Sequence, residues 1–429
     1  MGKLDSNSTH EGNMRTIQGC RSCGYQGLDV VLKFGNVPLA NALLTEEDLK
    51  KPETGYPLTL AFCPKCSLVQ ILETVDPEVL FRDYVYFSSF SETMLQHARE
   101  EAEMLARTRS LGPESLVVEI ASNDGYLLKN FVETGIPVLG IEPARNIAKV
   151  AEQAGVPTLC EFFGKELAGK LRQEGRLADV VIGNNVLAHV ADLNGFVEGV
   201  ALILKKNGVA VFEFPYVGEM IEKTEFDTIY HEHLCYYSLH SARSLFAAHG
   251  LRITNVEKHP IHGGSLRVFA EPEATAKTNG KAVTGLAAEE KKRGMTEAGF
   301  YKTFAAKVER LKTALLSELR RLKAEGWSIA AYGASAKGST MLNYFGIGTE
   351  TLEYIVDRST AKQGRFAPGN HLPILAPSAL TERRPDAVLL LTWNFAEEIF
   401  RQQADYLKSG GKFIVPVPEV KIVGKEVLG

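Results

Sequence analysis

Positive charge is in short supply along this chain. Its 48 lysines and arginines are outnumbered by 52 aspartates and glutamates, a formal net charge of −4 over 429 residues. That balance gives no field to hold a nucleic-acid backbone, and no nucleic-acid partner is expected. Long apolar runs are also missing, so no membrane-spanning segment is expected. The opening stretch, MGKLDSNSTHEGNMR, lacks the apolar core of a secretion signal, and residues 1–15 read as a disordered leader. A cytoplasmic location follows as the expectation. Cysteine is scarce, six in all, and four of the six form two C-x-x-C pairs. In a compartment that keeps thiols reduced, such pairs point to metal before disulfide. Neither the full G-x-G-x-x-G of a dinucleotide site nor the H-E-x-x-H of a metalloprotease is found.

What is present divides into segments. Residues 16–82 carry both cysteine pairs between short β-like runs (LDVVLKF, LTLAF, LVQIL), a small module that needs a staple. A helix is expected from Glu92 to Arg109, stopped by Gly112-Pro113. From Leu116, apolar runs (LVVEI, PVLGIE, DVVIGNN, VAVFEF) alternate with helical stretches, the pattern of a parallel, doubly wound α/β sheet. LRITNVEK and SLRVFAEP flank a turn at HPIHGG and read as a hairpin at the sheet edge. Residues 271–295 read as an exposed connection. Phe304, Val308, Leu311, Leu315, Leu319 and Leu322 recur at three- and four-residue steps, one apolar face of a long helix ended by Gly326. A second α/β unit starts at Ser328. The expected division is 1–15, 16–82, 83–272, 273–325 and 326–429.

Cys20-Arg21-Ser22-Cys23 and Cys63-Pro64-Lys65-Cys66 each let two thiolates grip one ion from a single turn. Together, Cys20, Cys23, Cys63 and Cys66 complete a four-sulfur shell with no open position, so a structural zinc is expected.

Val117 to Gly125 (VVEIASNDG) is a strand running into a small-residue turn, the place where a ligand approaches backbone at the carboxyl edge of a sheet. S-adenosylmethionine has no phosphate to cradle, and its ammonium suits Glu119, Asp124 and backbone carbonyls. Glu142 ends the next strand, about twenty residues on, where an acid accepts both ribose hydroxyls. Phe162 and Phe163 fit beside an adenine and in a core equally well. Tyr230, Glu232 and His233 form a compact cluster with His231. Imidazole titrates near neutrality and removes an activated proton, with a neighbouring carboxylate to orient it.

With these blocks in order, the sequence resembles the C-methyltransferases that act on nucleotide-linked 4-keto deoxysugars, especially the TDP-sugar 3-C-methyltransferases. The resemblance runs from Cys20 to Val420. It includes YVYFSS, VEIASNDG, GIEPA, NNVLAHV, FDTIYHEH, HGGSLRV, YGASAKG, KQGRFAPGNHLPI and TWNFAEEI. It implies a zinc-binding module, a class I (Rossmann-like) S-adenosylmethionine-dependent methyltransferase domain, and a carboxyl-terminal Rossmann-like α/β domain that helps hold the nucleotide sugar. It further implies His233 as base, with Tyr230, Glu232, Asn185, His189 and Tyr84 beside it. Glu119, Ala121, Asn123, Asp124, Gly125, Glu142, Phe162 and Asn184 are the expected cofactor contacts. His262, Gly263, Lys337 and Arg365 are the expected substrate contacts. Ala121 departs from the family's glycine and crowds the methionine part of the cofactor slightly. His231 occupies a variable position and takes no role.

The expected chemistry is C-methylation beside a ketone. A C4 carbonyl acidifies the neighbouring proton, His233 removes it, Glu232 orients His233, and the tyrosines, Asn185 or His189 donate to the developing enolate oxygen. C3 is preferred and C5 possible. Two alternatives stay open: an NAD(P)-using carboxyl-terminal unit, since Gly333–Gly338 follows a strand and Asp357 ends the next, or a methyltransferase for a non-sugar keto substrate. His189 is the rival base. The residues do not decide the sugar, the nucleotide base or the oligomeric state, and a monomer is compatible with them.

Overall fold

A computed structural model describes residues 9–11, 14–81, 88–276 and 280–428. The central element is a seven-stranded sheet. Its strands, from one edge, are Thr158–Leu159, Val138–Ile141, Val117–Ile120, Ala178–Asn184 and Leu204–Pro215, all parallel. Ser265–Pro272 and Leu251–His259 then form the antiparallel hairpin at the far edge, as its turn residues suggest. Val117–Ile120 and Val138–Ile141 are buried throughout, so they read as apolar runs broken only by Glu119. Glu92–Thr108 packs on this sheet with Ser91 as its cap, and buries Met94, Ala98, Ala102 and Leu105.

The cysteine module is a four-stranded antiparallel sheet. Three of its strands, Asp29–Val37, Tyr56–Phe62 and Val69–Ile71, come from the module itself. The fourth, Cys235–Tyr236, comes from far down the chain. The stretch read as a leader is partly structured: Thr9–Glu11 pairs with Met14–Thr16, which pairs with Glu73–Val75. Two-strand backbone pairing orders a polar segment without requiring an apolar signature.

Residues 271–295 also differ from the expectation. They hold the helix Lys281–Lys292, which buries Val283, Leu286 and Glu290. The Glu290 carboxylate accepts from the backbone N–H of Leu239 at 2.7 Å and of His240 at 3.0 Å, capping the helix Leu239–Ala247 from outside. The long helix, Phe304–Ala324, buries all six residues of the expected face. Each contributes about 1.5–3 kcal/mol relative to exposure, an upper estimate.

The carboxyl-terminal sheet has six strands. Ile374–Leu375, Ile355–Val356, Ile329–Tyr332, Ala387–Leu390 and Lys412–Val415 are parallel, and Lys421–Val423 closes the edge antiparallel. Ser335 caps the helix Ala336–Phe345, its hydroxyl accepting from the Gly338 N–H at 3.1 Å. No helix among the described residues is long and apolar enough to cross a membrane.

Candidate active site

A cavity of about 1200 Å³ lies where the three parts meet. That is above the roughly 1,000 Å³ upper size of pockets for one drug-sized ligand.

Its methyltransferase wall is the carboxyl edge of the large sheet. After Val117–Ile120 the chain turns sharply, with Ala121, Asn123 and Gly125 at φ of 56°, 50° and 78°. Gly125 has a second constraint, since a Cβ there would lie 2.9 Å from Val156. Glu142 holds this turn: its carboxylate accepts from the Asn123 N–H at 3.0 Å and the Ala144 N–H at 2.8 Å. Burial raises the pKa of Glu142 despite those bonds. Glu119 is buried beneath the turn, and burial, reinforced by Glu101, Asp124 and Glu142, pushes its pKa well above the usual carboxylate range. Asn184 donates through Nδ2 to Glu101 Oε2 at 2.6 Å. Arg267 in turn bridges Glu101 at 3.1 Å and Glu213 at 2.8 Å.

S-adenosylmethionine fits this wall. Glu119 Oε2, Asp124 Oδ1 and Asn184 Oδ1 are buried acceptors without a protein partner. Acceptors left over beside a group of acids suit a ligand that is cationic and rich in donors.

The floor is the loop that follows the short helix Phe226–Thr228. A turn, closed by the His233 N–H donating to the Tyr230 carbonyl at 2.9 Å, brings the two rings to 4.1 Å between centroids. His233 Nδ1 lies 2.8 Å from the Thr228 carbonyl oxygen. A carbonyl only accepts, so the proton sits on Nδ1. Nε2 therefore presents its lone pair, and the Tyr230 hydroxyl donates to it at 2.9 Å. Burial, with His189 close by, holds the His233 pKa well below 6.5, so the ring is neutral at pH 7. Burial likewise lowers His189 to about 4, and its ring stands 4.8 Å from that of His233.

The opposite wall belongs to the carboxyl-terminal unit. Ser335, Ala336 and Lys337 open a helix toward the cavity, with Arg358, Ser359, Thr360 and Lys362 beside them. Lys337 Nζ lies 4.7 Å from the centre of the Trp393 ring. Trp393 Nε1–H donates to Asp227 at 2.7 Å, joining this unit to the start of the His233 loop.

In the module, Cys20 and Cys66 sulfurs are 3.5 Å apart, Cys23 and Cys63 sulfurs 3.6 Å. All four lie within 4.8 Å of one another. A tetrahedron built on ~2.3 Å zinc–sulfur bonds has edges of ~3.8 Å, so the cysteines fit zinc.

Comparison with known proteins fixes the family. Residues 20–81 match a domain described as zinc binding, residues 94–256 a methyltransferase domain, and residues 260–418 a C-methyltransferase C-terminal domain. The C-methyltransferase NovU of Streptomyces niveus is 37% identical over 413 residues, 96% of this chain and 98% of that one. This chain belongs to that C-methyltransferase family. A ubiquinone biosynthesis O-methyltransferase of Bartonella bacilliformis is 29% identical over 126 residues, 28% of this chain and 50% of its own. Among solved structures, the magnesium protoporphyrin IX methyltransferase of Synechocystis PCC 6803 with bound S-adenosylmethionine is similar at 16% identity over 41% of this chain and 78% of that one, with a TM-score of 0.32. The protein is an S-adenosylmethionine-dependent methyltransferase with a structural zinc site.

In this C-methyltransferase, Ala121, Asn123, Glu142, Phe162, Asn184, Asn185, His189, Tyr230, His233, His262 and Lys337 line the cavity. Glu119, Asp124 and Gly125 lie behind that lining and shape it. Asp124 accepts from the Ser89 N–H at 3.2 Å. Tyr84 lies outside the described residues. Three expectations change. Arg365 is exposed and is not among the residues that line the cavity, while Arg358 and Lys362 stand in that lining. Gly263 offers its carbonyl to Lys223 Nζ at 2.5 Å and supports the neighbouring His262 without lining the cavity. Glu232 reaches toward the zinc-binding module, and the bond at His233 Nδ1 is to the backbone. The Thr228 carbonyl accepts from His233 Nδ1–H, and the Glu232 carboxylate accepts from Asn41 of the zinc-binding module at 2.7 Å. A backbone carbonyl carries no sequence signal, so the part played by Thr228 is not legible in residue type. Asn41 lies 191 positions from its partner.

Proposed function

We propose that the protein transfers a methyl group to carbon beside the C4 ketone of a nucleotide-linked deoxysugar, at C3 in preference to C5, in the cytoplasm. The observation that carries this reading is the protonation pattern of His233: a buried, neutral ring whose one lone pair, on Nε2, lies at the cavity and accepts from the Tyr230 hydroxyl. Carbon becomes a nucleophile only when a proton leaves, and this is a base set to take one. The C–H electron pair moves into the carbon–carbon bond as the carbonyl π pair moves onto oxygen. When Nε2 takes the proton it no longer accepts from Tyr230, whose hydroxyl is then free to donate to that oxygen, and Asn185 lines the same cavity with a further donor. Bound S-adenosylmethionine would supply an electrophilic methyl on a positively charged sulfur able to leave as a neutral thioether.

The nucleotide part of the substrate is read from charge. Lys337, Arg358 and Lys362 face the cavity from the carboxyl-terminal unit, and the capped N-terminus of Ala336–Phe345 opens beside them. Cations at a helix N-terminus suit a diphosphate. Incubation with S-adenosylmethionine and a panel of nucleotide-linked 4-keto sugars, read by mass, tests the reading. A gain of one methyl, with loss of deuterium from a C3-labelled sugar, is the expected result. No methylation of any member overturns it, and tight binding of NAD to the carboxyl-terminal unit points to an oxidoreductase instead.

A further inference from the structure

The loop that carries His233 is built against the zinc-binding module at almost every residue. His231 Nε2–H donates to the Pro57 carbonyl at 3.0 Å. Glu232 accepts from Asn41 at 2.7 Å. The Leu234 carbonyl accepts from the Ile71 N–H at 3.0 Å. Cys235 and Tyr236 pair with Gln70 and Val69, completing the module's sheet. The methyltransferase domain holds the other side, where the Leu234 N–H donates to the Ala188 carbonyl at 2.6 Å. The His233 side chain, with that of Tyr230 beside it, is left facing the cavity.

The strand that receives this loop is fastened to the cysteine knuckle. Val69–Ile71 begins three residues after Cys66. Arg21, inside the first C-x-x-C, donates from its backbone N–H to Gln70 Oε1 at 2.9 Å, and Gln70 Nε2 returns a bond to the Gly19 carbonyl at 3.2 Å. The Arg21 guanidinium donates to the carbonyls of Ile71 at 3.2 Å and Glu73 at 2.8 Å. The path from the four sulfurs to His233 is thus Arg21, the backbone of Ile71, and Leu234.

We propose that the zinc knuckle is a positioning element of the active site: Arg21 and the strand Val69–Ile71 fix the backbone flanking His233, so that the metal's role extends to catalytic geometry. This rests on the reading of His233 as base. Placement is where the effect is large, since a displacement of ~1 Å costs ~10²-fold in rate.

The test uses full-length, zinc-loaded Arg21→Gln. Zinc content and S-adenosylmethionine affinity should match the wild type, because the large sheet is untouched. kcat should fall ~10²-fold with KM for the sugar nearly unchanged. The imidazole N–H signal of His233, sharp in the wild type because Nδ1–H is held by Thr228, should broaden or shift to a mixture of tautomers by NMR. Arg21→Lys, keeping one donor, should recover part of both. A normal kcat and a normal imidazole signal in zinc-replete Arg21→Gln overturn the proposal. If that variant loses metal or fails to fold, Gln70→Leu cuts the bonds from the knuckle to the strand Val69–Ile71 while leaving Arg21 and the four cysteines in place, and the same two readouts decide. Chelation supplies a third arm: loss of the His233 signal with S-adenosylmethionine binding retained supports the proposal, and simultaneous loss of cofactor binding overturns it in favour of a general folding role. The imidazole readout does not depend on which residue is the base, whereas an active His233→Asn would sink that assignment alone.

Discussion

In the methyltransferase unit, Glu142 ends the second strand and its two oxygens accept the N–H groups of Asn123 and Ala144 at 3.0 and 2.8 Å. In the carboxyl-terminal unit, Asp357 ends the second strand, and its two oxygens accept the N–H groups of Ala334 and Ser359, both at 2.8 Å. Each acid pins the small-residue turn after the first strand of its own sheet. The surroundings are opposite. Glu142 keeps company with Glu119, Asp124 and Glu101, whose mutual repulsion in a dry site raises the pKa of Glu119 further. Asp357 has Lys362 at 3.9 Å, and Arg358 and Lys337 open into the cavity near it. One backbone device serves both units, and local charge distinguishes a wall suited to a cation from one suited to an anion. The acid at the strand end is therefore a poor guide to the ligand, and its neighbours are a better one.

Breaking the seam between the two walls should have the largest effect. His233→Asn should lower kcat by ~10²–10⁴-fold with both ligands still bound, measured by single-turnover methyl transfer and calorimetry. The sign of the pH effect follows from burial. A base works unprotonated, and a pKa held below 6.5 keeps His233 in that form as pH falls, so wild-type kcat should not fall between pH 7.5 and 6.5. A kcat that halves near pH 6.5 would contradict this.

Next comes the cationic wall, the one suited to an anion. Lys337→Ala should raise KM for the nucleotide sugar ~10-fold or more, the cost of losing a charge-assisted hydrogen bond, and leave cofactor affinity unchanged. Equal losses for both ligands would erase the division of labour. The converse experiment is Glu142→Ala, which should weaken S-adenosylmethionine binding ~10-fold by calorimetry while Asp357→Ala leaves it intact.

The smallest effect concerns Ala121. The turn holds it at φ 56°, in the left-handed region that an L-residue enters at a cost of roughly 1–2 kcal/mol. Ala121→Gly should therefore raise stability by a fraction of that, because glycine also gains entropy in the unfolded chain, as read by denaturant titration. Strain at this turn gives the alanine a definite physical cost, distinct from the crowding of the cofactor expected from the sequence.

Much of the fold was legible because it follows local periodicity. The runs LVVEI and DVVIGNN became buried strands, and the step pattern from Phe304 to Leu322 became one face of a helix, since a chain with that spacing has only one way to bury it. Lys281–Lys292 was less legible: its buried Glu290 and short apolar set look polar until the helix it caps is known. At the site, the residues named from motifs mostly reached the cavity, while Arg365 did not. Its neighbours in sequence turn back toward the module, where Phe366 bridges to Leu44 and leaves Arg365 in solvent.

The sequence by itself determined the metal shell, the alternation of strand and helix, the acids of the cofactor turn, and the presence of a tyrosine and histidine three apart. Those are properties of spacing and residue type. Only the tertiary structure decided that a turn joins Tyr230 to His233, that the Thr228 carbonyl fixes the ring's proton, that Glu232 answers to Asn41, and that the strand after His233 completes a sheet begun before Cys63. Hydrogen bonds to backbone, and pairings between segments more than a hundred residues apart, leave no mark on residue type: any side chain leaves the same carbonyl behind.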